Sequence, residues 1–327
     1  MFTDIVLPIL GMTLGLALLI KGADFFVDGS KGIATALRIP PLIIGLTLVS
    51  MGTSAPEASV GIIGSLNGMN DLAVGNVVGS NLFNTLPILG ISALVAELTV
   101  SNDMRKYDIP ITAGLYLLLL LFAFVITPYT LDIAEGIVLL ALFALYTAFL
   151  IIRSKRGGKQ SEVCTQEQSP ALPSPKTDRP LWLNIVFAVS GLAGVIGGGT
   201  LVVDNASVIA KTFGMSEMLV GLTVVAIGTS LPELVTSIVA SVKKETDIAV
   251  GNVIGSNIFN ILFILGTSSI ISPPAVGADM FADMLVLLGS GIILLACALF
   301  SKKIRRWQGA LLILLYAAYF SYIIIRN

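Results

Sequence analysis

The segment Gly52-Thr-Ser-Ala-Pro-Glu57 places a carboxylic acid directly after a proline in an apolar stretch, and Gly228-Thr-Ser-Leu-Pro-Glu233 repeats the arrangement. Proline lacks a backbone donor and clashes with the carbonyl four residues earlier, and the glycine loosens the same turn. For one copy alone, a simple packing kink is an equally good interpretation. An acid inside a membrane costs at least about 2.5 kcal/mol, however, so two such breaks with a glutamate in each favour a functional site.

The composition of the whole chain fits a membrane. Of its 327 residues 55% are hydrophobic and 12% are charged, about half the charge of an ordinary soluble domain, and the mean hydropathy is +0.94. This composition excludes a soluble globular enzyme. Apolar runs between charged or Pro/Gly breaks predict ten crossings, at residues 5–36, 40–66, 70–96, 107–127, 132–152, 181–210, 217–242, 247–272, 280–300 and 307–325.

Charge and residue usage exclude several other classes. A net charge of −1 leaves no basic surface for nucleic acid. Because the chain has no histidine, it cannot contain a Ser-His or Cys-His catalytic pair or a histidine-ligated metal. Cys164 and Cys297 are too far apart in sequence to suggest a disulfide framework or a zinc site. We expect no cofactor and no enzymatic activity.

An internal repeat organises the chain. Residues 42–90 align without a gap onto residues 218–266, with 26 identities in 49 positions and a constant offset of 176. Each half holds five predicted crossings, an odd number, so the second half must enter from the opposite face. The predicted fold is therefore an all-α polytopic membrane protein with ten transmembrane helices in two inverted five-helix repeats, in which helices 2 and 7 are broken.

Loop composition predicts the domain boundaries and the orientation. Residues 1–152 form the first repeat, residues 153–180 a cytoplasmic linker rich in Ser, Pro and charge, and residues 181–327 the second repeat. Sixteen Lys and Arg residues fall in the loops after helices 1, 3, 5, 7 and 9, against two on the other side. Because basic residues gather on the cytoplasmic side, both termini are predicted to lie outside the cell, with the protein in the plasma or inner membrane.

A second repeated motif supplies neutral oxygen atoms. Asn76, Ser80 and Asn84 step by four along one predicted helix, and Asn252, Ser256 and Asn260 do so on its counterpart. Two carboxylates with hydroxyl and amide oxygens suit a hard cation such as Ca²⁺, which takes about 6 to 8 oxygen ligands. The remaining asparagines of the motif, Asn81 and Asn257, are expected to hydrogen-bond backbone freed by the helix breaks.

Other polar and small residues allow more than one interpretation. Asp28 and Asp204 are repeat-related, and capping or interfacial contact is as consistent with their positions as a place on an ion path. The run Gly197-Gly-Gly199 lies inside a crossing and predicts close helix packing rather than a nucleotide loop.

These motifs resemble the two alpha repeats of the sodium/calcium exchanger, or cation/Ca²⁺ antiporter, family, and the chain is most similar to its short prokaryotic members. The resemblance implies an antiporter that binds Ca²⁺ and Na⁺ in turn, with helices 1 and 6 sliding past the rest. It implies ion-binding roles for Glu57, Glu233, Thr53, Thr229, Ser54, Ser230, Ser80, Asn84, Ser256 and Asn260. Some relatives have Asp where this chain has Asn260, which leaves the number of Na⁺ per Ca²⁺ and any preference for K⁺ or H⁺ open.

The predicted function is exchange of Ca²⁺ against Na⁺ in a lipid membrane, driven by the Na⁺ gradient. The paired acids would also permit a cation/H⁺ antiporter or a K⁺-dependent one. An ion channel would need a continuous pore, and an inverted repeat favours a carrier instead. An intramembrane protease is the enzyme alternative, but its usual acid pair is aspartate, and no Gly-x-Gly-Asp motif occurs in the sequence. Oligomeric state and regulation are not indicated.

Two acids that meet without a cation repel each other, so a proton should be able to replace the cation there. We therefore predict that protons compete with Ca²⁺. Lowering the pH from 8 to 6 in transport vesicles should reduce Ca²⁺ uptake at a subsaturating Ca²⁺ concentration. Uptake that does not change across this range would contradict the prediction.

Overall fold

The computed structural model describes residues 2–68, 70–164, 179–212, 226–278 and 280–326. Eight helices in this part of the chain are long and apolar enough to cross a membrane. Two shorter apolar helices, Pro41–Thr53 and Leu231–Val242, lie beside them. The structure is thus a helical, multi-pass membrane protein.

The helices follow one another in chain order with short connections. They are α1 (Phe2–Ala36), α2 (Pro41–Thr53), α3 (Ala55–Leu66), α4 (70–95), α5 (Met104–Ile126), α6 (Ile133–Cys164), α7 (Leu181–Thr212), α8 (Ala226–Thr229), α9 (Leu231–Val242), α10 (Thr246–Ile271), α11 (Met280–Phe300) and α12 (Arg306–Arg326). Two short strands, β1 (Leu98–Thr99) and β2 (Lys303–Ile304), pair antiparallel between the loops that follow α4 and α11.

The hydropathy pattern predicts these helices closely, because charged and Pro/Gly breaks coincide with their ends. Pro40 and Pro41, for example, separate α1 from α2. Two differences stand out. The helix of the fifth crossing continues to Cys164, beyond the end predicted at residue 152, and the first part of the seventh crossing, residues 217–225, lies outside the described residues.

Both glutamate motifs interrupt a helix at the same position. The chain leaves α2 at Ser54 (φ −81°, ψ 10°) and begins α3 with Pro56 in its first turn. It leaves α8 at Ser230 (φ −91°, ψ 6°) and begins α9 with Pro232 in its first turn. Proline fits the start of a helix because its missing donor would be unpaired there anyway. Each motif therefore ends one helix and starts another.

Helices α4 and α10 form the centre of the molecule. α10 is almost wholly buried and α4 largely so, whereas α6 and α12 expose most of their surface. π-helical turns begin at Asn84 in α4 and at Asn260 in α10, and such turns occur frequently at functional sites. In both central helices the last asparagine of the second polar motif therefore starts a π-helical turn.

Helices α1 and α7 pack antiparallel through glycines. Gly15 faces Gly198, and further along α1 Gly22 faces Gly191, so positions rise on one helix as they fall on the other. The two pairs are reciprocal, because Gly15 and Gly22 correspond to Gly191 and Gly198 at the 176-residue offset. Because glycine has no side chain, the two backbones can approach closely at these positions.

Two similar charge clusters connect neighbouring helices, one between α5 and α6 and the other between α11 and α12. Each consists of a buried aspartate bound by a tyrosine and an arginine: Asp108 with Tyr146 and Arg153, and Asp283 with Tyr319 and Arg326. The tyrosine and arginine donors lie 2.9–3.2 Å from the carboxylate oxygens. Buried charges are normally paired in this way. The likeness of the two halves therefore extends beyond residues 42–90 and 218–266.

The glycine contacts predict opposite effects for two neighbouring substitutions. A Cβ atom on Gly198 would lie 2.6 Å from the Leu19 backbone nitrogen, whereas one on Gly197 meets no described atom within 4 Å. Gly198→Ala should destabilise the protein by about 1–3 kcal/mol through overpacking. Gly197→Ala should leave it unchanged or raise stability by up to about 1 kcal/mol. Thermal unfolding in detergent measures both, and equal melting temperatures would contradict this packing.

Candidate ion-binding site

The two glutamates lie at the starts of the interrupted helices, deep inside the protein. Glu57 occupies the first turn of α3 and Glu233 the first turn of α9. Their exposed fractions are 1% and 0%. A helix N-terminus favours a negative charge because its amide groups point toward it. The breaks predicted from the Gly-Pro pattern therefore place both carboxylates where the backbone partly compensates them.

Each half of the chain hydrogen-bonds the acid of the other half. The Ser54 hydroxyl donates to Glu233 Oε1 at 2.7 Å, and the Ser230 hydroxyl donates to Glu57 Oε1 at 2.9 Å. Ser54 and Ser230 are the residues at which the two helices break. This reciprocal pair of bonds connects the two motifs directly and brings both carboxylates into one site.

Four acceptor oxygens in this region are buried and have no hydrogen-bond partner. They are Glu57 Oε2, Glu233 Oε2, Asn84 Oδ1 and Asn260 Oδ1. The set is symmetric, since the two glutamates and the two asparagines are repeat-related. Buried polar atoms are nearly always partnered, so four repeat-related oxygens without donors are an expected feature of a cation site.

The asparagine amide groups are oriented by hydrogen bonds across the two repeats. Asn84 Nδ2 donates to Asn257 Oδ1 at 3.1 Å, and Asn260 Nδ2 donates to Asn81 Oδ1 at 3.0 Å. With their nitrogen atoms bound in this way, Asn84 and Asn260 keep their side-chain oxygens available.

The remaining hydroxyl groups predicted for the site lie around the carboxylates. Ser80 Oγ is 3.4 Å from Ser230 Oγ. Thr229 ends α8 directly before Ser230. The Thr53 hydroxyl donates to Asn252 Oδ1 at 3.0 Å, and the Ser256 hydroxyl donates to the Ser50 carbonyl at 3.4 Å. The structure therefore brings together all of the residues named in the sequence analysis: Glu57, Glu233, Thr53, Thr229, Ser54, Ser230, Ser80, Asn84, Ser256 and Asn260.

The expectation for Asn81 and Asn257 is wrong. Asn81 Nδ2 donates to the Asn257 backbone oxygen at 3.3 Å, and Asn257 Nδ2 donates to Thr85 Oγ1 at 2.9 Å, so neither bonds backbone at a helix break. Asn76 and Asn252 lie nearer to the breaks, because their side-chain nitrogens are 3.5 Å from the Glu57 carbonyl and 3.4 Å from the Glu233 carbonyl, in the first turns of α3 and α9. Helical spacing places a residue on a face, but it does not show which backbone group that face meets.

Ser237 also supports the site, and sequence reasoning missed it. Its hydroxyl accepts a hydrogen bond from Asn252 Nδ2 at 3.0 Å, and Asn252 Oδ1 in turn accepts one from the Thr53 hydroxyl at 3.0 Å. The repeat-related residue is Gly61, so the offset itself gave no signal for a serine here.

Neither glutamate has a charged partner within the described residues. The ion pairs lie elsewhere, as in the pairs of Lys243 with Asp24 and Asp28 at the end of α1. The described chain also lacks any cluster of three or more His, Cys, Asp or Glu side chains. The candidate ligands are thus two carboxylates and several neutral oxygens, which suit hard cations rather than soft transition metals.

The family assignment agrees with this donor set. Residues 7–152 and 183–325 match the family described as sodium/calcium exchanger protein. The chain belongs to the sodium/calcium exchanger family. This family is one of transporters and not of enzymes.

Two similar proteins and a solved structure match over nearly the full chain. The sodium/calcium exchanger MaX1 of Methanosarcina acetivorans is 32% identical over 335 residues, which cover 94% of this chain and 96% of MaX1. The inner membrane protein YrbG of Escherichia coli is 39% identical over 306 residues, which cover 92% of each. A solved structure of the sodium-calcium exchanger NCX_Mj is similar with a TM-score of 0.83 and 31% identity, and the match covers 97% of this chain and 98% of NCX_Mj.

The asparagine contacts generate a prediction for this exchanger-family chain. Asn257→Ala removes the acceptor of the Asn84 amide, so the Asn84 nitrogen can turn toward the carboxylates and oppose a cation. Outer contacts of this kind are typically worth about 10-fold or more in metal affinity. We expect the KM for Ca²⁺ in tracer uptake to rise by that factor.

Ser65→Ala provides the matched control for this variant. The Ser65 hydroxyl only donates to the Gly61 carbonyl of its own helix, at 2.9 Å. Its loss should leave the KM for Ca²⁺ near that of the unmodified protein. A KM that rises equally in both variants would show that the Asn257 effect is unspecific.

Proposed function

We propose that the chain is a secondary active antiporter that exchanges Ca²⁺ for Na⁺ across the membrane by alternating access. Family membership and the likeness to NCX_Mj support cation/Ca²⁺ antiport, and the choice of Na⁺ as counter-ion is the proposed part. The observation that carries the proposal is the repeat-related set of four unpartnered buried oxygens on Glu57, Glu233, Asn84 and Asn260.

The two negative charges of Glu57 and Glu233 account for exchange at a single site. Two carboxylates neutralise one Ca²⁺ or two Na⁺, and the same oxygen atoms cannot bind both kinds of ion at once. Both ions prefer oxygen ligands, and the mixed carboxylate, amide and hydroxyl set supplies them. Ca²⁺ and Na⁺ are therefore expected to displace each other.

The proposed architecture is the inverted repeat of ten crossings. α2 with α3 would form the second crossing, and α8 with α9 the end of the seventh, which adds two interrupted crossings to the eight long spans. Two reciprocal hydrogen bonds support this architecture. Ser54 bonds Glu233, and Ser230, which is the repeat equivalent of Ser54, bonds Glu57, which is the repeat equivalent of Glu233. An inverted repeat with the site at its interface is the usual plan of an alternating-access carrier.

The proposed movement and orientation follow from the same arrangement. α1 and α7, the first and sixth crossings, would slide as a pair past the remaining helices. The close glycine contacts between α1 and α7 support the proposal that these two helices move together. With basic loops on the cytoplasmic side, both termini would lie outside the cell.

The proposed function is tested by ⁴⁵Ca²⁺ uptake into liposomes that contain the purified protein. An outward Na⁺ gradient should drive uptake, while choline inside should not. An outward K⁺ or H⁺ gradient in place of Na⁺ distinguishes the alternative antiporters. Uptake driven by H⁺ and indifferent to Na⁺ would refute Na⁺/Ca²⁺ exchange and select the cation/H⁺ antiporter.

Neutralising either glutamate should abolish exchange. Glu57→Gln and Glu233→Gln each remove half of the negative charge while preserving shape, so the site can no longer balance Ca²⁺. We expect Na⁺-driven ⁴⁵Ca²⁺ uptake to fall at least about 100-fold, since leaving a buried charge unpaired costs about 3–5 kcal/mol. Ser59→Ala is a suitable control, because this exposed hydroxyl bonds only the Ala55 carbonyl of its own helix. Normal uptake by either glutamine variant would remove the basis of the proposal.

A further inference from the structure

A pocket lies where α11 ends and α12 begins, on helices that contribute none of the ion-site residues. Its volume is about 700 Å³. One part of its lining is basic and the other is apolar: Lys302, Lys303 and Arg305 form the first part, and Ala296, Phe300 and Trp307 belong to the second. A ligand that matches this pocket must therefore be anionic at one end and apolar at the other.

The basic side of the pocket has an excess of positive charge. Lys302 and Arg305 form no ion pair within the described part of the chain, and Lys303 has only a long contact of 3.6 Å to the half-exposed Glu97. Nearby, Arg105 donates to the Leu299 carbonyl at 3.3 Å, while its buried Nε atom has no partner. Among the described residues these basic groups have one long acidic contact between them, that of Lys303 with Glu97, so an anion would be bound favourably.

The large apolar side chains of the pocket are more exposed than is usual on a surface that faces only water. The exposed fraction is 92% for Phe300 and 63% for Trp307. Both lie at the ends of helices that are long enough to cross a membrane, Met280–Phe300 and Arg306–Arg326. Tryptophan at such a position is typical of the boundary between acyl chains and lipid headgroups. This position favours a pocket at the depth of the headgroups.

We propose that this pocket binds an anionic phospholipid. Its phosphate would lie against Lys302 and Arg305, and an acyl chain would follow Phe300 and Trp307. Basic pockets between transmembrane helices recognise anionic headgroups in this way. A zwitterionic lipid offers the same apolar contact without the net charge, so the basic residues should discriminate between the two lipids. The proposal does not depend on which cations the protein exchanges.

Trp307 is a built-in reporter of the bound lipid. The chain has two tryptophans, so Trp182→Phe leaves Trp307 as the sole tryptophan. The full-length variant is reconstituted into vesicles that contain either phosphatidylglycerol or phosphatidylcholine with brominated acyl chains, which quench nearby tryptophan. We expect phosphatidylglycerol to bind next to Trp307 at least about threefold more strongly than phosphatidylcholine. In the reciprocal variant Trp307→Phe, the exposed Trp182 should show a ratio close to one.

Charge variants decide whether the pocket creates this preference. In the Trp182→Phe background, Lys302→Gln with Arg305→Gln should reduce the ratio to near one. Lys244→Gln with Arg179→Gln removes the same charge away from the pocket and should retain the preference. Circular dichroism verifies the helical content of each variant. Equal quenching by the two lipids at Trp307, or an unchanged preference after loss of Lys302 and Arg305, would overturn the proposal.

Discussion

The structure depends on the burial of two carboxylates that have no positively charged partner among the described residues. Glu57 and Glu233 are withdrawn from water, and each receives a serine hydroxyl on one oxygen while its other oxygen has no donor. Removing charge from water is costly unless another charge compensates it. The protein supplies helix N-termini and hydroxyl groups, which offset only part of this cost. A transported cation would balance the remaining negative charge, so the incomplete compensation of these two carboxylates favours cation binding.

The site can form only when the two halves of the chain meet. Ser54 lies at the break before Glu57 but donates to Glu233, and Ser230 makes the converse bond. The halves are nevertheless not identical, because Ser237 holds Asn252 where the first half has Gly61. One half of the site is therefore tied to its supporting helix by an additional hydrogen bond. The two related half-sites thus differ in their supporting hydrogen bonds while they offer the same types of ligand.

Most of the fold and the candidate ligands can be predicted from the sequence because they depend on local rules. Proline and glycine positions predict the breaks at Ser54 and Ser230, and the 176-residue offset pairs the motifs. Contacts between distant helices cannot be predicted in this way. The orientation of the Asn84 amide is determined by Asn257 on another helix, and the roles of Asn76 and Asn81 depend on which backbone lies opposite. The pocket beside Trp307 likewise requires the spatial meeting of α11 and α12, which hydropathy alone does not describe.

The neutral amides at Asn84 and Asn260 limit the charge that the proposed carrier must move. With two carboxylates, a site that holds one Ca²⁺ is neutral, and so is a site with two Na⁺. A third acid at either asparagine would leave the Ca²⁺-loaded site with one negative charge, and a third Na⁺ would then restore neutrality. In this chain a third Na⁺ would instead make the loaded site positive, and its movement would depend on membrane voltage. The identity of these two residues thus connects the number of ions bound to the electrical cost of transport.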